Sequence, residues 1–546
     1  MKIKKRYLLP MAFLGLLGIA GKTVDSGKYF EIAKNIELFA NIYKEINTYY
    51  VDDLDPAKTM RIGIDAMLDH LDPYTNYISE SEIEGFRYIT EGKYNGIGAT
   101  VQKIGDYPVI TETYENCPAF KAGLKTADVL VSVDGQSAKG KGSDELYDIM
   151  KGAPGTEMEI TVRRPGEAKD LKIKLKRDEV DVPNVPYSGM VSDEIGYVIL
   201  TTFTRDAGPN IQAAFADLKS KNPNMKGVIL DLRGNGGGLL NEAVNLVNVF
   251  TPKGEVVVST RGKVEDWDRS FKTTGTPTDE KMPLVVLIDK GSASASEIVS
   301  GSLQDLDRGV LMGQRSYGKG LVQNIKDIGY NSKVKLTTSK YYIPSGRCIQ
   351  GVTYKDGKPV NIPDSLRTAF KTKSGRKVLD GGGVTPDVYI DSETKSTVVK
   401  SLVEKFYIFD YVTDFSLKNK TISEVKDFHF TQFDEFVKFL ESRNYFGETE
   451  SDKLLNDLRE KAKKEKYYDA IAADLKAAEN KMTAEKKAEI LSHRKDITDL
   501  IEKEISSRYY YEKGKIQMGL RNDKEIDEAI KLLKDTPRYQ KILSGK

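Results

Sequence analysis

Twice in this chain an apolar run of strand length breaks into very small residues and then into a helical pattern. Gly227–Leu232 (GVILDL) is followed by the run Arg233 to Gly238 (RGNGGG) and then by NEAVNLVNVF. Pro283–Asp289 (PLVVLID) is followed by Lys-Gly-Ser-Ala-Ser-Ala-Ser, by Glu297 and by a second helical pattern. With GYVILTTF (Gly196–Phe203) and NIQAAFADL (Asn210–Leu218) before them, these segments predict strand–helix alternation and an α/β core. Small residues at a strand-to-helix junction let another chain approach the backbone. The helix start there offers N–H groups and a dipole that favour negative charge.

Ser294-Ala-Ser-Glu297 fits a capping box, which accounts for one serine and the glutamate but not for the small residues around them. A serine nucleophile needs a base. The chain has three histidines, His70, His429 and His493, and none lies in the α/β segment. Lysine is the other known solution. Ser316–Gln323 (SYGKGLVQ) places Lys319 between two glycines, as suits a lysine whose backbone is tightly held. Such a lysine must be largely neutral, and desolvation lowers its pKa in that direction.

Two nucleotide readings fail. Gly313–Lys319 matches a phosphate loop for seven positions, but Gly320 stands where Ser or Thr should hold magnesium, and the residues after it alternate like strands rather than opening a helix. The glycine run does not satisfy G-x-G-x-x-G in either register. It can still present N–H groups as an anion nest and so supply a second oxyanion donor.

The rest of the chain divides by pattern. A basic cluster at Lys2–Arg6 and an apolar run at Tyr7–Gly21 mark residues 1–21 as a signal peptide or an N-terminal anchor. Residues 28–90 read as helical, with Ile32, Ile36, Phe39, Tyr43 and Ile46 at helical spacing and Asp72-Pro73 ending a second helix. Residues 91–178 read as a small β module interrupted by one helix, Ser143–Met150. The α/β core spans 180–394, and 395–546 reads as helical. Leu454, Leu455, Leu458 and Ala462 form one apolar stripe there, and Ile526, Ile530 and Leu533 another, each either a docking arm or a buried face. A net charge of +2 gives no global sign of nucleic acid, the two distant cysteines, Cys117 and Cys348, define no disulfide framework, and no His/Cys cluster calls for a metal.

Taken together, the motifs resemble the C-terminal processing peptidases, or tail-specific proteases, a serine–lysine family. The nucleophile motif resembles S-A-S-A-S-E, here Ser292–Glu297, and the lysine lies in G-K-G followed by V-Q. The family spacing of 25 positions selects Ser294 for Lys319. YYIPSGRCIQG (Tyr341–Gly351) and GGGVTPDV (Gly381–Val388) are further matches, with about 30 residues between them resembling an insertion. The β module resembles a PDZ domain, although Ala127 replaces the glycine expected before Asp128.

The resemblance implies a multidomain α+β protein: N-terminal helical segment, PDZ-like module, α/β serine peptidase core and C-terminal helical domain. It implies Ser294 as nucleophile, Lys319 as general base and Gln323 as the residue that orients it. The oxyanion donors would be the N–H of Ala295 and one from Gly237, with Gly238 the alternative. Gly96, Ile97, Gly98 and Ala99 would grip a peptide's terminal carboxylate as the peptide adds as a strand. No metal or cofactor is required. The partners implied are protein or peptide C-termini, not nucleic acid, with membrane association through the N-terminus and a homodimer left open. The location implied is periplasmic or otherwise exported. The rival reading is a PDZ-containing binding scaffold with an inactive or gated core.

Overall fold

The computed structural model describes residues 26–545 apart from 356, 392–395 and 446–449; the basic–apolar segment at 1–21 lies outside the described residues. Helix Ser26–Tyr49 is followed by Pro56–Asp69, whose start is fixed by Asp55 accepting from the N–H groups of Ala57 and Lys58, with proline in the first turn. The apolar residues of the first helix stay in solvent: Ile32, Ile36, Phe39 and Ile42 are all half or more exposed. The chain then leaves the helical pattern. Asn76–Ile78 is a strand that pairs antiparallel with Lys333, Val334 and Lys335 near the far end of the core. Helix Ile83–Glu91 leads into the β module.

That module is one antiparallel sheet of Ala99–Ile104, Tyr107–Thr113, Val129–Val133, Glu157–Arg163 and Leu171–Lys176 in that order, with helix Ser143–Met150 beside the first strand. Strand periodicity is plain in Glu157–Arg163, where Met158, Ile160 and Val162 are buried and their neighbours are not. Lys93–Gly96 pairs with Asp178–Asp181 and closes the module at its two ends. Ala127, at the departure from the family glycine, keeps the left-handed backbone with φ 76°.

In the core, strands Ile195–Ile199 (β1), Gly227–Asp231 (β2), Leu284–Ile288 (β3) and Val310–Gly313 (β4) run parallel, with Val388–Tyr389 beyond β4 and Ser188–Met190 antiparallel on the other edge. β2, β3 and β4 are buried along their whole length, as a parallel sheet covered on both faces must be. Helices Ala207–Lys221 (α1), Leu240–Phe250 (α2) and Ala295–Asp305 (α3) cover one face, with Phe215, Leu246 and Val299 in a common core. The other face is covered from the far end of the chain. Helices Lys524–Lys534 (α4) and Thr536–Ser544 (α5) lay Ile526, Leu533 and Tyr539 on Ile229, Val285 and Leu287. The Tyr539 hydroxyl donates to the Leu284 carbonyl (3.1 Å) and accepts from its N–H (2.9 Å). Of the two apolar stripes in the helical region, that of Ile526 and Leu533 is thus a buried face, while the other is split, with Ala462 buried, Leu455 half-buried and Leu454 and Leu458 exposed. The other C-terminal helices, Glu450–Lys464 apart, share a separate, aromatic-rich core around Tyr411, Phe430 and Phe436. A long hairpin, Leu321–Gly329 (β5) and Ser332–Tyr342 (β6), stands beside the sheet.

Leu533 is 4% exposed and packs on Gly227 of β2. Leu533→Ala should destabilise the protein by about 2–4 kcal/mol, read as a lower urea midpoint, whereas Leu454→Ala, at an exposed position, should stay within about 0.5 kcal/mol.

Candidate active site

The serine run and the glycine run are stitched together side by side. The Ser292 hydroxyl donates to the Leu232 carbonyl (2.8 Å), the Ser296 hydroxyl to the Asn235 carbonyl (2.8 Å), and the Ala293 N–H to that same carbonyl (3.0 Å). Ser294 is different. Its hydroxyl makes no hydrogen bond among the described residues, so it does not cap α3 with its side chain. Its backbone is left-handed, φ 56° and ψ −113°, a strained conformation for a residue with a Cβ. A strand-to-helix turn of this kind lifts a side chain clear of its neighbours.

Glu297, fully buried one turn later, holds this geometry. Its carboxylate accepts from the N–H of Ser294 (2.9 Å), of Lys319 (2.8 Å) and of Gly318 (2.7 Å), and from the Ser316 hydroxyl. Burial pushes its pKa up to about 7 against the pull of these donors. All four partners donate, so the ionised carboxylate is the form they hold. The glycines around Lys319 serve close packing: a Cβ on Gly318 would meet Gly383 N at 3.0 Å, and one on Gly320 would meet Gln350 N at 2.7 Å. The Tyr341 hydroxyl completes the clamp, 2.6 Å from the Lys319 carbonyl and 3.1 Å from that of Ser294.

Ser294, Ala295, Lys319 and Gln323 line one cavity of about 420 Å³ together with the glycines 236–238. No histidine and no residue of the β module lines it. Desolvation, reinforced by the charge of Lys335, lowers the Lys319 pKa to about 8; the Tyr74 ring, 4.3 Å from Nζ, acts in the opposite sense. Lys319 Nζ and Ser294 Oγ are not hydrogen-bonded to each other here; such bonds often close only around a substrate. Gln323 donates to Thr337 Oγ1 (3.1 Å), not to Lys319, and Thr337 in turn donates to Asp72 (3.2 Å).

The expected oxyanion donors differ in readiness. The Ala295 N–H, at the first turn of α3, has no acceptor among the described residues. Gly237 lies against Ser294, since a Cβ there would come within 2.8 Å of Ser294 Cβ, but its N–H is held by Asn235 Oδ1 (2.9 Å). The bridge between Phe203 and Gly238 uses the Gly237 carbonyl and the Leu239 N–H, which leaves the Gly238 N–H on the opposite side without an acceptor among the described residues.

In the β module, Ile97 and Gly98 present two successive N–H groups with no acceptor among the described residues. Gly98 has φ 77°, and a Cβ there would overlap Cys117 at 2.3 Å. Gly96 ends the strand paired with Asp178, and Ala99 opens the edge strand Ala99–Ile104. Both cysteines are free.

Asp72, Tyr74, Lys335 and Tyr341 carry no functional signal of their own in the sequence. Asp72-Pro-Tyr-Thr reads only as a helix end, and Tyr341 stands in a matched motif without a role.

Glu297→Gln would turn an amide N–H toward groups that themselves donate. The expected outcome is a loss of about 3 kcal/mol of stability, read as a lower urea midpoint, with the cavity's arrangement lost.

Comparisons with known proteins agree with this architecture. Residues 194–356 match peptidase family S41, residues 95–175 a PDZ domain, and residues 398–533 the C-terminal helical domain of a probable PDZ-protease. A carboxy-terminal-processing protease of Bartonella bacilliformis is 40% identical over 322 residues, 58% of this chain and 73% of that protein. A probable CtpA-like serine protease of Staphylococcus aureus is 34% identical over 344 residues, 62% of this chain and 68% of its own. Among solved structures, a photosystem II D1 C-terminal processing protease is 26% identical and aligns over 67% of this chain and 96% of its own with a TM-score of 0.35. The chain therefore belongs to the carboxy-terminal-processing proteases of peptidase family S41, serine peptidases, and carries a PDZ domain of its own.

Proposed function

We propose that the protein cleaves protein tails through a Ser294–Lys319 dyad, after its PDZ domain has bound the terminal carboxylate. One observation carries this reading. Of three serines at the strand-to-helix junction, two are pinned by hydrogen bonds and Ser294 alone keeps a free hydroxyl, in a cavity that also holds a desolvated lysine. Lys319 as free amine takes the Ser294 proton while Oγ attacks the scissile carbonyl. The N–H groups of Ala295 and of the glycine run hold the oxyanion; as they stand, Ala295 and Gly238 are the ready pair, and Gly237 joins only if Asn235 releases it. The lysine then protonates the leaving amine, and water, deprotonated by the same lysine, hydrolyses the acyl-enzyme. Gln323 acts through Thr337 and Asp72, fixing the wall beside Lys319. Ile97 and Gly98, between Gly96 and Ala99, grip the tail's carboxylate. A tail that adds to the edge strand must also displace the Tyr147 hydroxyl, which accepts from the Val101 N–H (3.1 Å). Export follows from the segment at 1–21. Among the described residues no helix is long and apolar enough to cross a membrane.

The test is cleavage of an unfolded protein with an apolar C-terminus, without added nucleotide or metal, read by mass spectrometry. Ser294→Ala and Lys319→Ala should each lose at least about 1,000-fold in kcat/KM. Cleavage by all three proteins would refute the assignment. The pH profile is a second check. Lys319 must lose its proton and Glu297 must stay ionised, with pKa values of about 8 and about 7. The logarithm of kcat/KM should therefore rise with a slope near two below pH 7 and near one between 7 and 8, then level off.

We also propose that the exposed apolar face of helix Ser26–Tyr49 pairs with a second copy of the chain. Ile36→Asp with Phe39→Asp should convert a dimer to a monomer in light scattering; an unchanged mass would exclude this face as the interface.

A further inference from the structure

Two lysines line the catalytic cavity, Lys319 and Lys335, and no aspartate or glutamate does. Lys335 sits mid-strand in β6, with Asn76 opposite it on one side and Ile325 on the other. Two residues on, Thr337 shares its face and bonds Gln323. The Lys335 ammonium makes no ion pair and no hydrogen bond among the described residues. The acid whose field reaches it is Asp72. That carboxylate is already committed: it accepts from the N–H groups of Tyr74 (2.8 Å) and Thr75 (3.0 Å) and from the hydroxyls of Thr75 (3.1 Å) and Thr337 (3.2 Å). The other walls are largely apolar, among them Phe86, Ile89, Leu239 and Ile298. Burial in such walls disfavours the lysine's charge, and an anion brought in would restore it. The cavity thus lacks one component, a negative charge beside three unused donors.

We propose that Lys335 is a carboxylate-binding subsite within the catalytic cavity and that it holds a carboxylate of the substrate close to the scissile bond. The carboxylate belongs to an Asp or Glu side chain or to the free end of a short tail. This rests on the proposed dyad. It also has a consequence for that dyad. Lys335 is one of the charges that lower the Lys319 pKa, after desolvation. A carboxylate on Lys335 cancels that charge, so Lys319 holds its proton more tightly, and the rising limb of kcat moves to higher pH.

The experiment uses the full chain and four peptides of one unfolded sequence: Glu or Gln beside the cleavage point, each with a free or an amidated C-terminus. Wild type, Lys335→Gln and Lys335→Arg are compared by kcat/KM. The expected result is a wild-type preference of about tenfold for one of the carboxylates, kept by Lys335→Arg and reduced to about one in Lys335→Gln. Dependence on Glu against Gln identifies a side-chain carboxylate; dependence on the free end identifies the terminus. Amidation also weakens PDZ binding, but that effect persists in Lys335→Gln, so only the part that disappears belongs to the subsite. The kcat limb for the preferred peptide should lie to the alkaline side of that for its neutral partner in wild type and coincide with it in Lys335→Gln. Calorimetric binding of the same peptides to Ser294→Ala and to Ser294→Ala/Lys335→Gln gives the preference without turnover. Cleavage of all four peptides with the same ratios in wild type and Lys335→Gln would overturn the subsite and leave the dyad standing. Cleavage of none by wild type would remove the dyad, and the subsite with it.

Discussion

The arrangement depends on one buried carboxylate. Glu297 binds the backbone N–H of Ser294 and the backbone N–H of Lys319, so a single anion sets the positions of two residues far apart in the chain. A charge of that kind costs several kcal/mol to bury unless its lone pairs are filled, and here four donors fill them. The same bonds hold Ser294 in its left-handed conformation, which would otherwise relax toward an ordinary helix cap. Ser292 and Ser296 contribute from either side by pinning the turn to the glycine loop.

That glycine loop is in turn secured by the end of the chain. Arg233, within the run, bonds Asp231 behind it and reaches Asp523 (2.8 Å) and Glu525 (2.6 Å) at the start of α4. Glu525 also accepts from Gln314 at the end of β4. Helices α4 and α5 therefore do two things at once. They supply the apolar cover without which one face of a parallel sheet would lie in water, and they fix the loop that lies against Ser294.

The sequence made legible whatever depends on local pattern. Strand runs ending in small residues located β2 and β3, and the glycine-flanked Lys319 stood out by itself, whereas the choice of Ser294 came from the spacing that the family resemblance implies. Which of three serines is free could not be read from the run itself, because the answer lies in the carbonyls of Leu232 and Asn235 across the loop. Long-range pairing was equally hidden. Asn76 meets Lys335 across more than 250 residues, and that pairing, with the bonds of Thr337 to Asp72 and of Tyr354 to Tyr74, brings Asp72 and Tyr74 to the site. The amphipathic stripe at Ile526 and Leu533 announced a buried face without naming its partner, and in the similar stripe Ala462 is buried and Leu455 half-buried while Leu454 and Leu458 stay in water. Helical periodicity records that a face is apolar; it does not record what covers it. The Gly237 donor shows the same limit, since the competing acceptor is the Asn235 side chain two residues before it.

The PDZ domain and the cavity of Ser294 and Lys319 meet through helix Ile83–Glu91. Phe86 and Ile89 form part of the cavity wall. Arg87, on the same helix, pairs with Glu179 of the strand that closes the PDZ domain, and Glu84 accepts from the Asn95 N–H. Toward the core, the Thr90 carbonyl accepts from Arg205 N–H and Glu91 pairs with the Arg205 side chain. The residues that would grip a tail's carboxylate begin five positions after this helix ends. A short helix thus carries part of the cavity wall on one face and is bonded to the PDZ domain on another.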